Sequence, residues 1–183
     1  MRTLRAFLLG LALVTTVTQA DEKRDLLARN ETIAIFKGAP YRECMGLTSL
    51  CPKECGHSGE VAIFEIRGYL VYEKRGQYGD PKQGQFMVQI TGYHKEPVGN
   101  LKWNEIIKTL KPDDCVMLAW NHDYVTRDGC SSPERPITNL KKITAAEAAE
   151  LLKKAEAAPA APKASKAPGK SRGVAPAARA VAF

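Results

Sequence analysis

Residues 61–72 read VAIFEIRGYLVY, and this stretch decides the fold class. It is β-branched and aromatic along its length and contains no proline. Ala62, Phe64, Ile66, Leu70 and Tyr72 share one face, with Gly68 in the same row, and Glu65, Arg67 and Tyr69 share the other. Alternation with period two is the pattern of a strand that turns one face to a core. A glycine inside such a run marks a bend or bulge.

Downstream, residues 74–84 (KRGQYGDPKQG) are turn-rich, and residues 85–93 (QFMVQITGY) alternate again with Phe86, Val88 and Ile90 inward. Residues 100–110 (NLKWNEIIKTL) place Leu101, Ile106, Ile107 and Leu110 at helical spacing. A KPDD turn leads into a buried strand at 115–120 (CVMLAW), with Trp120 as core. Residues 121–128 (NHDYVTRD) lead into a loop at 129–133, and a last strand is expected at 136–143. Thr144 with Glu147 forms a capping box for an alanine-rich helix, expected to project from the domain. Upstream, residues 32–36 (TIAIF) read as a short strand and the charged residues 21–30 as a helical arm. Asn30-Glu31-Thr32 has the N-glycosylation pattern. No internal repeat is apparent. The class is mainly β with one short helix, a small barrel or an α+β domain.

Residues 1–20 have the layout of a secretory signal peptide. Arg2 and Arg5 precede an apolar run at 6–14 (AFLLGLALV), and Thr18-Gln19-Ala20 supplies small residues for cleavage. The run is too short to span a bilayer, so no transmembrane helix is expected in the mature chain. The expected divisions are a signal peptide at 1–20, a disulfide-containing β-rich domain at 21–142, a helical extension at 143–157 and a disordered Ala/Pro/Lys tail at 158–183. The product is expected to be secreted or periplasmic.

The chain has a formal net charge of +7. Much of that excess sits at the ends: the two leader arginines, and Lys163, Lys166, Lys170, Arg172 and Arg179 in a tail without acids. The domain between is close to neutral. The basic tail suits polyanions, whether anionic cell-wall polymer, lipid head groups or nucleic acid.

Cysteines at 44, 51, 55, 115 and 130 follow the leader, an odd number. A disulfide between Cys115 and Cys130, at the two ends of a hairpin-forming segment, is the simplest pairing, with one pair and one leftover thiol among Cys44, Cys51 and Cys55. A second reading takes residues 51–57 (CPKECGH) as a ligand set, because two thiols and an imidazole converging on one point suit copper(I) or zinc. The same thiols could cycle between dithiol and disulfide. The stretch CPKEC resembles the C-P-x-x-C loop of the Sco copper-delivery proteins. That resemblance implies copper held by Cys51, Cys55 and a distant histidine, here His122. The expected metal set is Cys51, Cys55, His57 and His122.

The strand order over residues 60–143 resembles an oligonucleotide/oligosaccharide-binding (OB) barrel, through the long bent strand, the short helix and the KPDDCVMLAW turn-then-strand. Tyr69, Tyr78, Tyr93, Trp103, Trp120 and Tyr124 offer stacking surfaces for a sugar or base. No phosphate-binding glycine loop and no G-x-S-x-G elbow is present. The expected function is an exported, non-enzymatic binding module. The alternative is a thiol-redox or copper/zinc protein using the CPKECGH loop, and a third class is a hydrolase using His122 and Asp123.

Overall fold

In the computed structural model, which describes residues 22–46 and 48–157, two sixteen-residue strands dominate, β1 (Lys23–Gly38) and β3 (Gly59–Lys74). They pair antiparallel, and the other edge of β1 pairs antiparallel with β5 (Cys115–Arg127). The short β2 (Tyr41–Arg42) and β4 (Gln85–Gln89) pair with β3, and β6 (Cys130–Glu134) and β7 (Ile137–Lys142) pair with β5. Helix α1 (Leu101–Thr109) lies between β4 and β5, and α2 (Ala145–Ala157) follows β7. The architecture is thus mainly β, as the alternation predicts. No ladder joins β4 to β6 or β7 among the described residues, so the curved sheet stays open. The signal peptide expected at 1–20 and the tail expected at 158–183 lie outside the described residues. Among those residues, no helix is long and apolar enough to cross a membrane.

The main core gathers Phe36, Phe64, Phe86, Leu118 and Trp120 from the sheet with Ile107 and Leu110 from the α1 region. Trp120 is fully buried, with its ring centroid 4.5 Å from that of Phe86. Asn100 caps α1 by accepting the Lys102 N–H at 3.0 Å. Burying side chains of this size contributes about 1.5–3 kcal/mol each.

The bend expected at Gly68 is two irregularities in the pairing of β3 with β1. Ile33 faces Gly68 but Ala34 faces Ile66, leaving Arg67 extra; Glu31 faces Val71 but Thr32 faces Tyr69, leaving Leu70 extra. Each inserted residue exchanges the faces of the strand. The single face expected for residues 62–72 is therefore divided. Ile66 and Tyr69 pack against the main core, whereas Leu70 joins Ile33, Ile143 and Ala148 in a second cluster beneath α2.

Four expectations are corrected. The helical arm at 21–30 is strand, because β1 pairs with β5 from Lys23 onward. Residues 121–127 continue β5, and the loop expected at 129–133 includes strand β6. Asn30, the sequon residue, is 2 % exposed and cannot carry a glycan. Finally, α2 does not project. Its Ala148, Leu151 and Leu152 cover the second cluster, so residues 143–157 belong to the domain. The Thr144–Glu147 capping box forms as expected, with the Thr144 N–H donating to Glu147 Oε2 at 2.7 Å and the Glu147 N–H donating to Thr144 Oγ1 at 3.2 Å.

Candidate metal centre

Residues 43–46 and 48–58, between β2 and β3, hold no helix or strand, so local bonds hold the loop. Ser58, 1 % exposed, accepts the Cys44 N–H at 3.0 Å and donates to the Pro52 carbonyl at 2.7 Å. One buried hydroxyl thus ties the entry of the loop to its middle. Gln89 Nε2 anchors the exit by donating to the Ser58 and Thr91 carbonyls, each at 2.9 Å. Gly59 permits that approach: its φ is +147°, and a Cβ there would fall 1.9 Å from the Thr91 carbonyl oxygen.

The clamp gathers three donors and sets a further thiol beside them. Ligand atoms of Cys44, Cys55 and His57 lie within 4.8 Å of one another, and Cys51 Sγ lies 3.1 Å from Cys44 Sγ. In a tetrahedral shell, metal bonds of about 2.3 Å to sulfur and 2.0–2.1 Å to nitrogen set two ligands of one ion about 3.4–3.8 Å apart. Small side-chain rotations close the difference. The three cysteines are half-buried and His57 is exposed, so an ion has an entry path.

The thiols differ electrostatically. Hydrogen bonding from Cys44, supported by the Thr48 hydroxyl and N–H, lowers Cys51 to about 6. Thr48 N and Oγ1 lie 3.3 and 3.6 Å from Cys51 Sγ. At Cys55 the His57 N–H favours the thiolate, but burial and the adjoining Cys51 and Cys44 outweigh it and push the thiol up. One thiolate therefore forms readily, and a cation must displace further protons to recruit the others.

The structure brings Cys55 and His57 together with Cys44, while Cys51, expected as a ligand, lies against Cys44 Sγ outside that group of three. It does not bring His122. The loop enters β3 at Gly59, whereas Ala28 pairs with both Lys74 and His122, which puts His122 level with the far end of that strand. Its Nδ1 accepts the Asp80 N–H at 3.1 Å. Nδ1 is also 3.2 Å from Asp80 Oδ1, a contact that favours an imidazolium, yet burial prevails and lowers the His122 pKa. His122 and Asp123 are neighbours on β5 and point to opposite faces, with Asp123 3.6 Å from Arg24. The acid/base pair of the hydrolase reading is not assembled.

The Cys115–Cys130 disulfide is also corrected. Cys115 opens β5, and Cys130 pairs with Arg127 at its other end. Twelve residues of strand separate them by roughly 40 Å, whereas bridged Cα atoms lie about 4.4–6.8 Å apart. All five cysteines are free thiols. Ser58 and Asp80 had no local sequence signal, because their partners arrive through the fold. Cys44 did have one: it is a third thiol within fourteen residues of His57.

The chain matches no known family model, no curated protein and no solved structure.

Proposed function

We propose that this chain is an exported, non-enzymatic binding module whose ligand is a soft metal ion held by Cys44, Cys51, Cys55 and His57. The observation that carries this reading is the convergence of Cys44, Cys55 and His57 within one short, clamped loop, with the Cys51 thiol set against Cys44. Three thiolates and an imidazole complete a tetrahedral zinc shell. The same sulfur-rich set suits copper(I), which favours thiolate ligands. Zinc is the first assignment because the donor count is already four. Export rests on the leader-like residues 1–20, and contact with an anionic polymer rests on the basic residues 158–183.

The test is metal analysis of the full chain after expression with its leader, followed by zinc and copper(I) titration under reducing conditions. One equivalent of metal is expected, lost in Cys44→Ser and Cys55→Ser and retained in His122→Gln. Metal-free protein that takes up neither ion after full reduction would end this reading.

A second reading has its own observation. Cys51 titrates near 6 and lies 3.1 Å from Cys44. Loss of two protons and two electrons to a disulfide or quinone oxidant would join them, with Cys55 next in line for exchange. Oxidation that abolishes metal uptake and reverses with dithiothreitol would show that both chemistries use the same sulfurs.

A further inference from the structure

A 470 Å³ cavity lies away from the cysteine loop, lined by Leu27, Tyr78, His122, Tyr124, Pro133 and Arg135. They come from β1, the segment between β3 and β4, β5, β6 and the residue after β6. It shares no residue with the metal centre.

His122 is 4 % exposed, and its Nε2 is buried without a hydrogen-bond partner. Since Nδ1 accepts the Asp80 N–H, the neutral ring carries its proton on Nε2. His122 thus lines the cavity with a neutral ring whose enclosed Nε2–H is an unpartnered donor. Trp120 Nε1, two residues earlier on the same face of β5, is the other buried polar atom without a partner among the described residues. A buried donor left unpaired is costly, so it marks a place where an acceptor is wanted.

The remaining wall narrows the acceptor's chemistry. Tyr78 is 75 % exposed and Tyr124 is 41 % exposed, and Leu27 and Pro133 add apolar surface. Arg135 is the cation of this wall, but its Nε and Nη2 hold the two Asp80 carboxylate oxygens at 2.7 and 3.0 Å. A phosphate or carboxylate would meet an already neutralised guanidinium. A nucleic acid, which relies on phosphate neutralisation, gains little here. A hydrocarbon would leave Nε2–H unpaired. What fits is an uncharged ring with an apolar face for the tyrosines and an acceptor oxygen for the imidazole. We infer that this cavity binds a neutral pyranose sugar, its ring against Tyr78 and Tyr124, with a small side-chain movement that opens the enclosed His122 Nε2–H to one of its oxygens. The volume lies in the range of small-ligand sites and admits more than one sugar ring.

The experiment uses the full chain loaded with zinc. Saturation-transfer NMR titrations are run with cellobiose, maltose and diacetylchitobiose, with uridine as the nucleoside control. At least one disaccharide should bind saturably, with Kd about 1 mM or tighter. Both tyrosines project into solvent, so their replacement leaves the core intact. Tyr78→Ala and Tyr124→Ala should each weaken binding about three- to tenfold. His122→Gln, which keeps an N–H donor, should bind more tightly than His122→Leu. Failure of all three disaccharides to saturate, binding of uridine alone, or disaccharide binding unchanged in both tyrosine variants would overturn the assignment. Cys44→Ser separates this site from the metal centre, since it should lose metal and keep sugar binding.

Discussion

The Ser58 hydroxyl donates to the Pro52 carbonyl at 2.7 Å from a position 1 % exposed. The same oxygen accepts the Cys44 N–H, so one side chain fixes the spacing between the first thiol and the CPKEC segment. Ser58→Ala leaves a half-buried carbonyl and a half-buried N–H without that partner. Stability of the metal-free protein should fall by about 1–3 kcal/mol. Zinc affinity should fall about tenfold with stoichiometry unchanged, because the ligands remain but must be ordered on binding. Urea unfolding and competitive zinc titration read the two effects.

Thiol reactivity should rank the cysteines. Cys51, with its pKa lowered to about 6, is largely thiolate at neutral pH, whereas burial pushes the Cys115 thiol up. In metal-free, reduced protein, iodoacetamide should modify Cys51 before Cys115, and one equivalent of zinc should protect Cys51. Zinc affinity should rise with pH, because the raised Cys55 must lose its proton to bind. Peptide mapping at timed intervals and zinc competition across pH 5.5–8, a range of roughly this width about the ordinary thiol and imidazole values, are the measurements. Equal rates at Cys51 and Cys115 would contradict the electrostatic picture of the loop.

The long strand β3 was legible because residues 61–72 are β-branched and aromatic along their length with no proline, and α1 because its apolar residues have helical spacing. The first half of β1 was not. Its buried row includes Asn30 and Thr32, whose polarity hides the period. Thr32 is tolerated there because its hydroxyl donates to the Leu118 carbonyl at 3.0 Å, a partner 86 positions away. The second half of β5 was hidden for a related reason. Asn121 and Asp123 are local turn signals, but pairing with β1 on one edge and β6 on the other overrides them. In the site, the local CPKECGH spacing pointed to two of the three donors that converge, Cys55 and His57, and passed over Cys44. The Sco resemblance implies His122 as the distant histidine, and only the fold shows that it accepts the Asp80 N–H.

Acid should weaken the fold through Asp80 and His122 together. Burial lowers the His122 pKa below the ordinary 6.5, so as pH falls through about 6.5 the unfolded chain takes up this proton first. Hydrogen bonding from Arg135 lowers the Asp80 pKa below the ordinary 3.8. Its contribution is present above that value and is lost as pH falls further. Both groups bind more protons unfolded than folded, so stability falls with pH in two stages. Asp80→Asn should cost about 1–2 kcal/mol at pH 7, since the pair is only partly shielded from solvent. It should also remove the lower stage. Thermal melts between pH 3 and 7, about the ordinary carboxylate and histidine range, provide the check.

The last test concerns whether α2 is an appendage or part of the domain. A Cβ at Gly68 would lie 2.4 Å from Leu152 Cδ2, so the helix packs directly onto the bulged segment of β3. Ending the chain at Lys142 removes Ile143, Ala148, Leu151 and Leu152 from above Ile33 and Leu70. The thermal midpoint should then drop by many degrees, since a loss of several kcal/mol shifts Tm by roughly 2–4 °C per kcal/mol in a domain approaching 150 residues. Ending it after Ala157 should leave the midpoint unchanged, because those core contacts remain. Gly68→Ala isolates the contact itself. The obstructing atom is the end of a flexible side chain, so Leu152 can rotate away, at a cost of about 1–3 kcal/mol in lost packing. Leu152→Ala removes the obstruction, and the double variant should be no less stable than Leu152→Ala alone. Additive losses in that cycle would mean that Gly68 is required by the backbone of β3 rather than by the helix above it.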